Sequence, residues 1–456
     1  MVSNRPTLHR LADDLSSRRT SAVELAQAAL ARAEDPAGEG ARVFTVLHRE
    51  RALAMARASD TLRAAGIVRS PLEGIPVSIK DLFDIVGEVT CAGSIVLRGQ
   101  PPAARNASIV DRLIAAGAVI VGRTNMTEFA FSGLGLNPHH GTPRNPWGRG
   151  SDGSGRIPGG SSSGSAVSVT DGMCAAAIGT DTGGSVRIPS ALCGLTGFKP
   201  TARRVPMDGA LPLSRALDSI GPLAASVRCC AIVDAILAGE APQPLAPAEL
   251  DGARLAIPED VVLDDMDEQV ARSFDAACAR LARQGARIRR LRIPAFAQLP
   301  QLQARGTLAT AEAWAANRHL AATDAAAYDP RVLARMRPGQ VMGAADLLDL
   351  QAARQRWIAE VGACIDDVDA LLMPTVPIVA PPIAPLQADD ELYTRTNALV
   401  LRNPTLINFL DGCAISLPCH EAGSAPVGLM LAAAGGRDAR ILALALAVEA
   451  ALAAPR

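Results

Sequence analysis

Near the start of the chain, Ser21-Ala22-Val23-Glu24 has the spacing of a capping box, and Leu25, Ala29 and Leu30 follow at helical intervals. Residues 7 to 34 are therefore read as helices that serve packing. From Gly74 the period changes. Ile75, Val77 and Ile79 alternate with Pro76, Ser78 and Lys80, which predicts a short strand with one apolar face, closed by Lys80 on the same side as Ser78. In residues 108 to 122, Ile109, Leu113 and Ile114 fall at helical spacing before the apolar run Ala118 to Val121, giving a helix and then a strand. The same order returns after Ala166 and through Cys174 to Ile178, so alternating helix and strand predict an α/β fold.

The Gly-, Ser- and Pro-rich stretch from Trp147 to Ser165 has the composition of a linker. The pattern resumes directly behind it, which makes it part of a packed unit instead. From about Leu237 to Arg354 the chain turns Ala- and Arg-rich and reads as a mainly helical layer with little legible chemistry. Leu371-Leu372-Met373-Pro374 reads as a buried strand meeting a loop, Thr375 to Pro385 as a proline-rich loop, and Arg440 to Ala454 as a closing helix interrupted by Glu449. No internal repeat is visible.

Charge narrows the partners. The 456 residues carry 45 basic and 46 acidic side chains, 49% apolar residues and 3% aromatic ones, so the electrostatic footprint of a nucleic-acid binder or a membrane-surface protein is missing. Small neutral ligands are the expected partners. Met1 to Arg19 has no apolar signal region and no run reaches the roughly 18 apolar residues of a membrane span, so a cytoplasmic protein is expected. Nine cysteines are scattered without a C-x-x-C pair or histidines at metal spacing; they are read as reduced, mostly buried residues, with no metal site.

One count is informative. Lys80 and Lys199 are the only lysines, and the other 43 basic residues are arginine. An amine can lose its proton inside a protein and a guanidinium cannot, so both lysines are candidates for proton transfer.

Several segments invite a chemical reading. Gly160-Ser161-Ser162-Ser163-Gly164 matches the G-x-S-x-G nucleophile elbow in letters, but the elbow requires a hydrophobic strand directly before it, and Ser151 to Gly159 is polar with a proline. The glycine-rich run has no lysine, so it is not a phosphate loop. Ser185 is better placed. An apolar run ends at Asp181, and a Thr182-Gly183-Gly184 turn then presents the serine beside successive backbone N–H groups. Such donors stabilise a developing oxyanion by about 3 to 4 kcal/mol each. The six histidines lie outside any motif, so Lys80, at a strand end amid apolar residues that lower its pKa, is the better base.

This arrangement resembles the amidase signature family of serine amide hydrolases. The likeness is carried by Gly74-Ile75-Pro76-Val77-Ser78-Ile79-Lys80-Asp81, Gly122-Arg123-Thr124-Asn125-Met126-Thr127-Glu128-Phe129, Pro158-Gly159-Gly160-Ser161-Ser162-Ser163-Gly164 and Gly179-Thr180-Asp181-Thr182-Gly183-Gly184-Ser185-Val186-Arg187-Ile188-Pro189. It continues weakly through Gly197 to Pro200, Asp218 to Pro222, Gly412 to Pro418 and Pro426 to Leu429. The resemblance implies one large domain over 5–456, with a central mixed sheet flanked by helices on both faces. Residues 237–354 would form a variable, mainly helical layer that contributes to the substrate pocket.

The resemblance also implies roles. Ser185 is the nucleophile, Ser161 the bridging serine on a cis peptide bond, and Lys80 the terminal base. Backbone N–H groups of Thr182, Gly183 and Gly184, with that of Ser185, form the oxyanion hole. Gly160 and Ser162 support the motif, and Ser132 falls where the family lines its acyl pocket. Asp181 and Arg187 either brace the loop or touch a polar substrate group, and both readings stay open. Lys199 is read as structural. Ser163 stands where the common pattern has glycine, and the spacer from Gly148 to Gly155 is long, but the interval from Ser161 to Ser185 is the family's.

The expected activity is hydrolysis of a carboxylic amide to acid and ammonia or amine, without metal or organic cofactor, on a small-molecule substrate and with a homodimer as the default assembly. Two alternatives are weighed against it. The glutaminase subunit of a tRNA-dependent amidotransferase shares these blocks, but Thr201-Ala202-Arg203-Arg204-Val205 lacks that subunit's Tyr-Gly continuation, and Ile188 replaces a glutamine. A non-catalytic binding protein on the same scaffold would have no use for all three triad candidates.

Overall fold

Apolar alternation in the second half of the chain explains the layering of the computed structural model, which describes residues 5–454. Along Ala370–Pro374, Leu372 enters one core while Leu371 and Met373 enter another. Leu429 and Leu431 are likewise separated from Met430 and Ala432. A strand with both faces apolar must be covered on both sides, and helices supply the cover. Helices Leu8–Ser16, Ala22–Glu34, Ser108–Ala115, Val227–Ala238, Glu268–Arg283 and Asp438–Ala453 pack on the first core. Ala295–Leu302, Ala344–Ile365 and Asp390–Phe409 pack on the second.

The sheet has eleven strands, β1 (Phe44–Leu47), β2 (Pro76–Lys80), β3 (Val119–Thr124), β4 (Ala176–Asp181), β5 (Thr196–Lys199), β6 (Ser219–Ala224), β7 (Arg254–Pro258), β8 (Arg287–Leu291), β9 (Ala370–Pro374), β10 (Cys413–Pro418) and β11 (Gly428–Ala433), in the order β1-β3-β2-β4-β6-β5-β10-β11-β9-β7-β8. Strand β2 runs parallel to both β3 and β4, β7 runs parallel to β8 and β9, and the remaining pairs are antiparallel. The fold is thus a single mixed α/β unit.

Strand β2 ends at Lys80, which lies on the same side as Ser78, and that polar face is buried in an internal polar cluster. Two expectations are corrected. The segment 237–354 holds strands β7 and β8 besides its helices, and Arg287, Arg289 and Arg290 leave β8 a charged sheet edge. Helix Asp438–Ala453 runs through Glu449, whose Oε1 accepts the Val227 N–H at 2.9 Å. The stretch 147–165 packs at both ends. Arg156 stacks on Trp147 and donates to the Ala380 carbonyl, and Ser161, Ser162 and Ser163 are fully buried. All nine cysteines are free thiols. Among the described residues no helix is long and apolar enough to cross a membrane.

Candidate active site

Lys80 closes β2 in the sheet interior, between β3 and β4, with no exposed surface. Its Nζ lies 2.7 Å from Ser161 Oγ and 2.8 Å from Thr180 Oγ1. Burial pushes the amine down to about 7, against the opposing pull of the Asp218 and Asp181 charges. A lysine in this state is half neutral near neutral pH, and its free electron pair can accept a hydroxyl proton. Ser78, two residues back on the same face, bonds Ser168 Oγ of helix Ser163–Thr170 at 3.0 Å, so strand alternation itself aims Lys80 at the loop ahead of that helix.

That loop delivers Ser161 through a cis peptide bond from Gly160. Only glycine fits at 160, since a Cβ there would sit 2.6 Å from the Gly135 nitrogen. The Thr127 N–H donates to the Ser161 carbonyl at 3.1 Å, and the Gly160 N–H to the Gly133 carbonyl at 2.7 Å. Ser162 ties this segment to the next. Its N–H donates to the Ser185 carbonyl at 3.3 Å and its Oγ to the Thr180 carbonyl at 3.4 Å. Ser163 donates to the Asn125 carbonyl at 3.4 Å, which accommodates a serine where glycine is common. Lys80 is thereby bonded to Ser161, and the next residue, Ser162, is bonded to the backbone of Ser185, more than a hundred residues along the chain from Lys80.

Ser185 follows β4 on a turn in which Gly184 has φ +124°, a backbone region that side chains avoid, and a Cβ on Gly184 would meet Pro404 at 2.6 Å. Asp181 organises the turn. Its carboxylate accepts the N–H groups of Gly184 at 2.8 Å and Val186 at 3.2 Å, and pairs with the Arg187 guanidinium at 2.9 and 3.0 Å. Arg187 also donates to Asn408 Oδ1, the Pro404 carbonyl and Met430 Sδ, and both charged groups are fully buried. Burial alone would raise the Asp181 carboxyl, but Arg187 outweighs it and holds the group far below the usual carboxylate range. These contacts favour the loop-bracing reading of the pair. One oxyanion assignment changes with it, because the Gly184 N–H is committed to Asp181 and braces the turn. Thr182 is held from its side chain, with Oγ1 donating to Asp218 Oδ1 at 2.5 Å.

Breaking a buried ion pair from one side leaves an uncompensated charge, which costs about 3–5 kcal/mol. Asp181→Asn is accordingly expected to lower stability by about that amount, measured as a shift in urea midpoint at unchanged slope; a shift below about 1 kcal/mol contradicts the bracing role.

The second wall is helix Asp390–Phe409. At near-helical spacing it sets Asn397 against Ser132 and Gly133, Leu401 against Gly133 and Gly183, Pro404 against Gly184, Thr405 against Gly183, and Asn408 against Asp181. Asn397 Oδ1 accepts from Ser132 Oγ at 2.9 Å and from the Gly133 N–H at 2.8 Å, while its Nδ2 is buried without a partner. Beside Ser132, Arg335 of helix Pro330–Met336 donates from Nε to the Phe131 carbonyl at 2.8 Å and lies 5.0 Å above the Phe131 ring. Burial pushes its guanidinium down, with Tyr393 opposing. No carboxylate of the described residues pairs with it.

Lys199 donates to the Pro200 and Gly412 carbonyls at 2.9 and 2.7 Å, and burial with the Arg187 charge lowers it to about 8. His48 and His139 pair with Glu88 and Glu128, away from these serines. The sequence alone does not single out Thr180, Asp218, Asn397, Asn408 or Arg335. Thr180 carries a usable signal, since it is a polar residue at the end of the apolar strand β4, directly ahead of the turn that bears Ser185. Asn397, Asn408 and Arg335 carry none, because their partners lie some two hundred residues away.

The family model for Amidase matches residues 24–442. The chain belongs to the amidase signature family, and it is an amide hydrolase. Among its relatives, the 2-amino-5-chloromuconic acid deaminase of Comamonas testosteroni is 38% identical over 405 residues, covering 88% of this chain and 86% of the relative. One subunit of the glutamyl-tRNA(Gln) amidotransferase of Chloroflexus aggregans is 33% identical over 454 residues, covering 91% and 90%. The crystal structure of an amidase superposes with a TM-score of 0.86 at 32% identity, covering 98% of this chain and 99% of that one.

Proposed function

We propose that this amidase hydrolyses a small amide whose acyl portion carries a carboxylate, through an acyl-enzyme on Ser185. The observation that carries the mechanism is the 2.7 Å contact between the Lys80 amine and Ser161 Oγ. Ser161 passes its proton to neutral Lys80 as it takes the proton of Ser185, and the Ser185 oxygen attacks the amide carbon. The charge on the carbonyl oxygen is met by N–H groups of the turn at Thr182, Gly183 and Ser185. The proton returns by the same path to the leaving nitrogen, the C–N bond breaks, and water then hydrolyses the ester. The chain's own side chains suffice for every step, and no cofactor is called for.

The substrate class rests on Arg335. A guanidinium that is largely removed from water and lacks an acid partner is matched to a carboxylate. Its position supports a role at the acyl end. Arg335 holds the Phe131 carbonyl, and two residues on, a Cβ on Gly133 would touch Ile188 Cδ1, the same atom that one on Gly184 would touch. The orphan amide of Asn397 adds a second donor beside Ser132. The similarity to a deaminase whose name specifies a muconic acid agrees with an acidic substrate. The charge balance of the whole chain points to neutral ligands; the local placement of one arginine outweighs it. The side chains packed nearest Gly133 are the apolar Ile188, Val400 and Leu401, which offer no partner to the ammonium group of glutamine, and this ranks the amidotransferase-subunit reading second.

The test is ammonia release across a panel of aliphatic monoamides of dicarboxylic acids, their neutral methyl esters, and glutamine. Arg335→Met is expected to lower kcat/KM for the carboxylated amides about 100-fold, mainly through KM, and to change the neutral ones by less than about threefold. Equal losses on both sets, or a preference for glutamine that rises with charged tRNA and two copurifying subunits, would reverse the assignment.

A further inference from the structure

Behind the turn that bears Ser185 lies a buried carboxyl group that the mechanism above does not use. Asp218, just ahead of β6, is 4% exposed. Its Oδ2 accepts the N–H groups of Leu213 at 3.0 Å and Ser214 at 3.1 Å, and its Oδ1 accepts the Thr182 hydroxyl at 2.5 Å. Thr180, near the end of β4, takes one of the two bonds of the Lys80 amine on its Oγ1, and Thr182 follows just past the strand end. Asp218 is therefore bonded directly to the carbonyl-binding turn, and its charge acts on the base that Thr180 holds. We propose that Asp218 is a positioning residue for the hydrolysis, clamping Thr182 through its hydroxyl and placing one negative charge beside the Lys80 amine. The inference rests on the Ser185, Ser161 and Lys80 reading.

The electrostatics agree with the geometry. Among the charges that act on Lys80, Asp218 is the strongest that favours the ammonium form, ahead of Asp181. Asp181 is already tied to Arg187, so its field is partly cancelled. Among the described residues Asp218 forms no ion pair within salt-bridge distance. The charged groups around it are Lys80 from β2, Asp181 from β4, Arg187 from the helix after the turn, and Glu312 from helix Leu308–Thr323. Glu312 accepts from Ser214 Oγ and the Ala216 N–H, while Arg354 from helix Ala344–Ile365 donates to the Ala216 carbonyl. Burial raises the Asp218 carboxyl to about 6, the bonds from Thr182, Ser214 and Leu213 oppose this, and the Glu312 charge adds to it. The group is thus raised by burial and held toward its carboxylate form by the donors around it. The sign of the carboxylate is unfavourable to the neutral amine, so it makes that amine a stronger proton acceptor once formed, while the Thr182 bond locks the turn.

The two contributions separate by experiment. With p-nitrophenyl acetate as acylating probe, the pre-steady-state burst is followed from pH 5 to 9 for the wild type, Asp218→Asn and Thr182→Val. Asp218→Asn is expected to move the acidic limb of the acylation rate to lower pH by about one pH unit and to lower its plateau about tenfold. Thr182→Val keeps the carboxylate and removes the clamp, so it is expected to lower the plateau about tenfold with the limb in place. A limb that does not move in Asp218→Asn overturns the proposal, as does a wild-type plateau in Thr182→Val. If Asp218→Asn yields no folded protein, the Thr182→Val plateau decides alone. Failure of the underlying reading looks different, because Ser185→Ala would then still give a burst.

Discussion

Ser185→Ala is expected to lower turnover by about five orders of magnitude and to abolish the covalent adduct seen by intact mass after treatment with an activated phosphonate, with little change in the melting temperature. The size follows from the arrangement. In the proposed route Ser185 supplies the attacking oxygen, and nothing else in the turn can replace it: Thr182 Oγ1 is bonded to Asp218, Ser162 Oγ to the Thr180 carbonyl, and Ser161 Oγ to Lys80. The remaining donors of the turn and the binding contacts persist, so a small residual rate over water is expected. The fold should hold because the turn is fixed by Asp181, Arg187 and Asn408, which do not depend on the Ser185 hydroxyl. A Ser185→Ala protein that turns over amides within tenfold of the wild type, or still acquires the phosphonate mass, contradicts the assignment of the nucleophile.

What can be seen in the sequence is what local chemistry dictates. Lys80 stands out because arginine has replaced nearly every other cation, and Ser161 and Ser185 stand out because the backbone around them accepts only small residues: a Cβ at Gly160 collides with Gly135, and one at Gly184 with Pro404. Helix 22–34 announces itself by capping and period, and helix 108–115 by period alone. The strands that escape a reading of the sequence do so for physical reasons. Arg287-Ile288-Arg289-Arg290-Leu291 lies at the sheet edge, where charge prevents unwanted pairing and also erases the apolar alternation that marks a strand. Strand β2, by contrast, is legible from its alternation, and what the sequence leaves open is only that Ser78 and Lys80 on its polar face meet Ser168, Ser161 and Thr180 inside the protein. Asn397, Asn408 and Arg335 reach the site from helices far along the chain, and a contact made by one helix face across such a separation leaves no local mark. The same holds for Asp218, which sits in a recognisable block but gains its meaning only from the Thr182 hydroxyl set against it.

Lys80→Met is expected to move activity and stability in opposite directions. In the folded protein burial brings the amine from its ordinary 10.5 down to about 7. Between those two values the unfolded chain holds a proton that the folded chain releases, so stability rises with pH across this window. Below about 7 both states are protonated and the full penalty of a buried ammonium remains, of the order of a few kcal/mol. Methionine fills a similar volume and carries no charge. At pH 6.5 the variant should therefore melt a few degrees above the wild type, after deducting about 1–3 kcal/mol for the Ser161 and Thr180 hydroxyls that lose a partner. The gap should close as pH approaches 10, where the wild-type amine in the folded protein is neutral. Activity should fall by about four orders of magnitude, and the acidic limb near pH 7 in the wild-type kcat/KM profile should vanish with it. Lys80→Arg separates proton transfer from charge, because a guanidinium keeps its proton at every accessible pH and should restore no activity. Scanning calorimetry and pH–rate profiles on the three proteins measure this directly. A wild-type limb that persists in Lys80→Met, or substantial turnover in Lys80→Arg, would show that some group other than this amine takes the proton from Ser161.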